Sequence, residues 1–361
     1  MNIPKLGIQH EKATILLGAG ASRGASCFEG KQVAPPLDVD FFTQVQSLDL
    51  LKEDEKIQYL LDFVRSEFDP ALGIPMEKFF TQVEALDDFY DTARIDRGPR
   101  VRRYRNILDN YTATLAAIFD RVGKQAGLAG ALRCNYHEKL AGMLEHGNEN
   151  FPKDVILSFN YDCIMDEALK AKARKRWDAA RGYGCNVTVG ADFWHNHAGP
   201  GRNATFSIQL LKLHGSLNWK RTLPTAAPNP PTDGIELRAN PYESTDRSPL
   251  EIVPPVWNKA VGEDPVLTAI WKAARQALRD GGVMIVVGYS VPDTDLLSQS
   301  LLHVAPTENG NMISNLIIIN PDPGARRKLV EILRNALGAQ SRVLHLNTLK
   351  DLRKAIDLEC A

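Results

Sequence analysis

Six short runs rich in Val, Ile and Leu constrain the fold of this chain more than any other feature. They span residues 13–17, 155–158, 208–213, 283–287, 316–319 and, more weakly, 343–346. Polar alternation is scarce within them, which is the pattern of strands buried on both faces of a parallel sheet covered by helices. The first five stop abruptly at small or polar residues: Gly18-Ala19-Gly20-Ala21-Ser22, Phe159-Asn160-Tyr161-Asp162, His214-Gly215-Ser216, Gly288-Tyr289-Ser290 and Asn320-Pro321-Asp322. In open α/β sheets ligands sit outside the carboxyl ends of the strands, so these five segments are the candidate site. The fold class expected is α/β, a mostly parallel sheet with helices on both faces.

Helical periodicity fills the intervals. Ile57, Leu60, Leu61 and Val64 follow an i, i+3, i+4, i+7 pattern, and Tyr104, Ile107, Leu108, Tyr111, Leu115 and Ile118 follow a longer one. Leu267, Ile270, Trp271, Ala274 and Leu278 form a third stripe, and Leu329, Ile332, Leu333 and Leu337 a fourth. The stretch between the first two strands, residues 41–150, therefore reads as a large helical insertion into a sheet domain made of residues 1–40 and 151–361. Segments 182–205 and 221–249 lack periodicity, and the second is rich in proline, so both read as long loops or small irregular lobes.

Composition excludes several classes. With 43 Lys and Arg against 44 Asp and Glu, the net charge of -1 shows no basic excess for a nucleic-acid backbone. The basic runs 100–105 and 170–176 read as solvated helix faces. Five scattered cysteines with no C-x-x-C pair fit neither a disulfide framework nor a four-cysteine zinc site. No stretch approaches the roughly 20 apolar residues that span a bilayer. Residues 1–12 are polar and lack a signal-peptide core. The expectation is a cytoplasmic protein with no membrane or nucleic-acid contact.

Each strand-end segment suits a particular chemistry. A strand running into G-x-G lets backbone amides approach a phosphate, although Arg23 fills the last slot of G-x-G-x-x-G and Gly24 follows it. The same glycines also serve strand-to-helix packing. Asp38 lies near the spacing of a ribose-reading acid, but no strand is evident before it. Asn160 can hold a ribose hydroxyl or a water, and Asp162 can orient it or bind the ribose; either can instead cap the helix starting near Ile164. His214 is a candidate general base, or a structural histidine. Gly288, Tyr289, Ser290, Asp295, Asn320 and Asp322 can close over the adenosine half of a dinucleotide. His195-Asn196-His197 reads as a polar loop rather than a metal site.

In this order, Gly-Ala-Gly-Ala-Ser, Asn-Tyr-Asp, His-Gly-Ser, Gly-Tyr-Ser and Ile-Asn resemble the sirtuin superfamily, over most of the chain from Thr14 to Asp322. The resemblance implies a Rossmann-like domain binding NAD. Gly18, Ala19, Gly20, Ala21 and Ser22 would lie at its phosphates, and Asn160, Tyr161 and Asp162 at the nicotinamide and ribose. His214 would be the catalytic histidine, with Gly288, Ser290 and Asn320 as later binding elements. The two cysteine pairs of the deacylating branch are absent, and Pro35-Pro36-Leu37-Asp38 replaces the usual phenylalanine-arginine element. The pattern looks like the bacterial sirtuin-like effectors of antiphage defence, which hydrolyse NAD. It implies cleavage of the nicotinamide-ribose bond with Asn160, His214 and Asp162 as catalytic residues, NAD as substrate and no metal. A silent NAD or ADP-ribose binding module and a protein deacylase are the other readings. Homo-oligomerisation, a protein partner or a phage-derived trigger are the expected controls.

Overall fold

A computed structural model describes residues 12–48, 54–92, 99–125, 133–145, 154–188, 207–221, 234–237, 250–252, 264–304, 310 and 312–352. All six apolar runs become strands of one parallel sheet: β1 (Ala13–Leu17), β2 (Asp154–Ser158), β4 (Ile208–Lys212), β8 (Gly282–Val287), β9 (Ile313–Ile319) and β10 (Leu337–Leu346). Their order is β4-β2-β1-β8-β9-β10. Every residue of β1 and β2 is buried, as the unbroken apolar runs require. From β1 the chain steps outward through β2 to β4, then returns to the other side of β1 and steps outward again. The order reverses between β1 and β8, which is the 3-2-1-4-5-6 arrangement of a Rossmann-like fold, and that switch point is where such sheets place their ligands.

Helices flank the sheet: α1 (Ala19–Arg23), α2 (Phe41–Ser47), α3 (Glu55–Glu67), α4 (Met76–Thr92), α5 (Pro99–Gln125), α6 (Asn135–Glu145), α7 (Ile164–Lys172), α8 (Pro265–Arg279), α9 (Leu296–Val304) and α10 (Pro323–Leu333). The apolar stripes face inward. Ile57, Leu60, Leu61 and Val64 of α3 and Tyr104, Ile107, Leu115 and Ile118 of α5 are buried, and α8 packs its stripe on β2 and β4. Between Phe41 and Glu145 the regular structure among the described residues is helical throughout. An aromatic cluster of Phe42, Phe63, Phe68, Phe79 and Tyr104 knits α2 to α5 in edge-on contacts.

Two expectations need correction. Leu337 belongs to β10, after a one-turn 3-10 helix at Arg334–Ala336, and not to the stripe of α10. The aperiodic segments and their flanks also contain strands. β3 (Asn186–Thr188), β5 (Gly215–Arg221), β6 (Gly234–Leu237) and β7 (Leu250–Ile252) form a second sheet in the order β3-β6-β5-β7. β3, β6 and β7, of three or four residues, are too short to show a period, and their pairing is fixed by partners distant in sequence. His195, Asn196 and His197, and the proline cluster at 224–231, lie outside the described residues.

Glu84, half-buried on α4, has its pKa pushed up to about 7 by burial and by Asp88 one turn on. The folded state therefore favours the protonated acid. That stabilisation is complete below the ordinary value of 4.5 and is lost as pH rises through 7. Glu84→Gln is expected to melt higher than the wild type above pH 7 and to match it in acid. Paired thermal melts followed by circular dichroism check this, and equal melting points in alkali would refute it.

Candidate active site at the switch point

The six strands stop in register. Leu17 pairs with Ser158 and Val287, Ser158 with Lys212, Val287 with Ile319, and Ile319 with Leu346. The segments that begin at Gly18, Phe159, Leu213, Gly288 and Asn320 thus leave one edge of the sheet at one level. The first and fourth meet at the switch point.

There the glycine turn packs backbone to backbone on the loop after β8. A Cβ at Gly18 would stand 2.6 Å from the Gly288 oxygen, and one at Gly20 would stand 2.8 Å from the Gly288 Cα. The Gly18 amide donates to the Val287 carbonyl (2.9 Å), that of Gly20 to Gly288 (2.9 Å) and that of Ala21 to Gly18 (2.9 Å). The glycines are thus required by close packing of two loops, whatever binds above them. Ala19 is exposed and Gly20 half-exposed at the rim, while Ala21 and Ser22 are buried. Arg23 occupies the fingerprint's final position because it anchors the following segment. Its guanidinium pairs with Asp40 at 2.8 Å and donates to the Pro35 carbonyl at 3.4 Å.

Asn160 and Asp162 divide the roles foreseen for them. The Asn160 carboxamide donates to the Gly18 carbonyl and to Ser22 Oγ, both at 2.9 Å. A carbonyl can only accept, so Gly18 fixes the amide orientation and leaves Asn160 Oδ1 as the acceptor available to a ligand. Ser22 Oγ in turn donates to Asp162 Oδ2 at 2.5 Å. The other oxygen, Oδ1, accepts the Ile164 amide at 3.0 Å at the start of α7. Asp162 is buried, so it is a capping and orienting group beneath the half-buried Asn160. This segment follows β2, the place of the ribose-reading acid in a dinucleotide-binding sheet. The sequence spacing is far longer than usual because the helices 41–145 intervene.

His214 follows β4 and is buried at 7 % exposure. Its ring lies 5.1 Å from Phe159 and 6.2 Å from Tyr161, and Phe159 stacks on Tyr289 at 4.7 Å. An aromatic row thus crosses the edge from β4 to β8. Trp271 of α8 donates to the Leu213 carbonyl at 3.0 Å and holds the chain just before the histidine. Below, the Lys212 ammonium donates to the Asp162 carbonyl and pairs with Asp166 at 3.3 Å.

The later loops build one another. Tyr289 OH donates to Asp295 Oδ2 at 3.2 Å, and burial, reinforced by that carboxylate, pushes its pKa well above the usual phenol range. Asp295 Oδ1 accepts from the Ser298 amide at 3.4 Å. Asn320 donates to the Tyr289 carbonyl at 3.1 Å and accepts from the Asp322 amide at 3.0 Å. Asp322 caps α10 through the Gly324 amide at 2.7 Å. Ser290 is exposed.

Asp38 does not follow a strand. It opens a short 3-10 helix, and its carboxylate accepts the Glu77 amide at 2.7 Å near the start of α4, with its pKa raised by burial. Glu77 escapes a reading of the sequence. It is buried at 4 % exposure and accepts from Thr294 Oγ1 at 2.6 Å, so the helical insertion reaches the loop after β8. Its only local signal was a first-turn acid on a helix. Two hundred residues of chain separate the partners, so only the fold brings them together.

Among the described residues no group of three His, Cys, Asp or Glu side chains is placed to hold a metal ion, and no helix is long and apolar enough to cross a membrane. No protein-family model matches the chain, and no curated protein matches it.

Proposed function

We propose that the chain is an NAD hydrolase that cleaves the nicotinamide-ribose bond to give nicotinamide and ADP-ribose, in the manner of the sirtuin-like antiphage effectors its motifs resemble. One observation carries the reading: the glycine turn, Asn160 and His214 leave the sheet in register beside the switch point. Cleavage passes through an oxocarbenium-like state with nicotinamide as a good leaving group, so the protein must position, stabilise charge and accept a proton. Asn160 Oδ1 accepts from the attacking water or a ribose hydroxyl, and His214 takes the water proton. Asp162 acts through Ser22 to hold Asn160, a positioning role. Control by self-association, a partner protein or a phage-derived trigger belongs to the same proposal.

The engaged amides of Gly18, Gly20 and Ala21 leave the turn fewer donors for a phosphate than its sequence suggests; a module that binds NAD or ADP-ribose without turnover is the second reading. The test follows NAD, nicotinamide and ADP-ribose by mass spectrometry with purified protein, Asn160→Ala and His214→Ala. Turnover lost in both variants is the expected result. Equal turnover in all three would sink the site assignment. A ligand-induced thermal shift without turnover would support the binding module, and NAD loss only with an acylated peptide would indicate a deacylase.

A further inference from the structure

Behind the candidate site, where α6 packs on α7 and on the 3-10 turn Ser26–Phe28, lies a cluster that the NAD reading does not use. Three polar atoms converge on Cys134 Sγ, two of them donors from Ser26 and the third a ring nitrogen of His137. They are the Ser26 amide at 3.1 Å, Ser26 Oγ at 3.5 Å and His137 Nδ1 at 3.0 Å. The Ser26 hydroxyl accepts the Asn135 amide at 2.8 Å, so its own proton is turned to the sulfur. Cys134 also immediately precedes α6, an eleven-residue helix whose amino end favours negative charge. A neutral thiol is a weak acceptor and gains little from such a shell; a thiolate gains from every member of it.

We propose that Cys134 is a reactive thiol, a site at which a small hydroperoxide oxidises the sulfur to a sulfenic acid. The thiolate attacks one peroxide oxygen, the S–O bond forms and the O–O bond breaks. The departing hydroxide takes the proton held by His137 and leaves as water. Sulfur loses two electrons, the peroxide gains them, and the imidazole ends neutral.

The charge state at neutral pH supports this chemistry. Burial opposes the Cys134 thiolate, yet His137 and the Ser26 donors bring its pKa down to about 6. Burial likewise opposes the His137 cation, but Cys134 and then Asp162 hold its pKa above the ordinary value. Two other thiols differ. Burial pushes Cys27 up to about 12, and Cys163 well above the usual thiol value. Cys27 is therefore a poor resolving thiol, and the product stops at sulfenic acid. Cys134 is itself 1 % exposed, although its chain neighbours Arg133 and Asn135 are exposed. That burial excludes bulky disulfides, so the proposed oxidant is the small molecule hydrogen peroxide.

The inference stands independently of NAD chemistry. The full-length chain is treated with hydrogen peroxide and a sulfenic-acid-trapping cyclic dione, and the adduct is mapped by peptide mass spectrometry. The adduct is expected at Cys134, absent in Cys134→Ser, and formed about tenfold more slowly or worse in His137→Gln. Circular dichroism melts establish that the variants fold. Ultraviolet thiolate absorbance, wild type minus Cys134→Ser, is expected to titrate with a midpoint of about 6 whether or not peroxide enters. An adduct at another cysteine only, no adduct at Cys134, an unchanged rate in His137→Gln, or the midpoint of an ordinary thiol would each overturn the proposal.

Discussion

Gly288→Ala is expected to destabilise the protein by about 2–5 kcal/mol, a large share of the roughly 5–15 kcal/mol that holds a typical domain folded. Two effects add. The φ of +60° at Gly288 lies in the left-handed region, where a side chain costs about 1–2 kcal/mol. The added Cβ would also stand 2.2 Å from the Ala21 nitrogen and 2.3 Å from the Gly20 carbonyl carbon. Those atoms are backbone, and relieving the clash means separating two loops, at the roughly 1–3 kcal/mol typical of overpacking. The separation also strains the Gly20–Gly288 hydrogen bond of 2.9 Å. Gly30→Ala is the control. Its φ is +71° and nothing lies within 4 Å of its added Cβ, so it carries the conformational cost alone. Urea denaturation of both variants separates the terms. If the two substitutions are equally mild, the close approach of the loops is not what requires glycine at 288.

The glycine turn shows how far sequence reached and where it stopped. Strand, turn and helix were legible at residues 13–23 because adjacent residues carry all three signals. That the glycines serve a loop 270 residues away was not, since close approach is a property of the partner. The same division holds elsewhere. The inner strands could be read because burial on both faces writes itself into a continuous apolar run, whereas β10, a largely exposed edge strand, left only a weak one. The second sheet could not, being built from strands such as Asn186–Thr188 and Leu250–Ile252 that carry no period of their own. Asn160 and His214 stood out because each follows a strand directly. Glu77 and Cys134 did not, because helical acids and scattered cysteines are ordinary until Thr294, Ser26 and His137 are set beside them. Capping is the visible role of three acids near the site, foreseen from the sequence only for Asp162. Asp38, Asp162 and Asp322 each accept a backbone amide at a helix start.

Lys212→Met is expected to cost about 3–5 kcal/mol, because it strips a buried carboxylate of its counter-ion. Lys212 and Asp166 are both 1 % exposed at the side chain and pair at 3.3 Å. Burial opposes the ammonium charge, but Asp166 holds the Lys212 pKa above its ordinary value, so the lysine stays charged at neutral pH. Tyr183 OH also donates to Asp166, and Asn218 to Tyr183 at 3.1 Å, so the carboxylate is the centre of a network that methionine cannot complete. Removing both charges is a different experiment. Lys212→Met with Asp166→Leu exchanges the pair for apolar groups and should recover most of the loss, as replaced buried ion pairs do. The Asp162 carbonyl still loses its donor in the double variant. That carbonyl belongs to the segment carrying Asn160, and Lys212 stands two residues before His214. The double variant therefore tests whether the pair serves the site as well as the core. Stability regained with the proposed NAD turnover still depressed would show that Lys212 aligns the β2 and β4 edges for that chemistry. Stability and turnover regained together would make the pair a structural element alone. No recovery of stability would mean that the network as a whole, and not the unpaired charge, sets the cost.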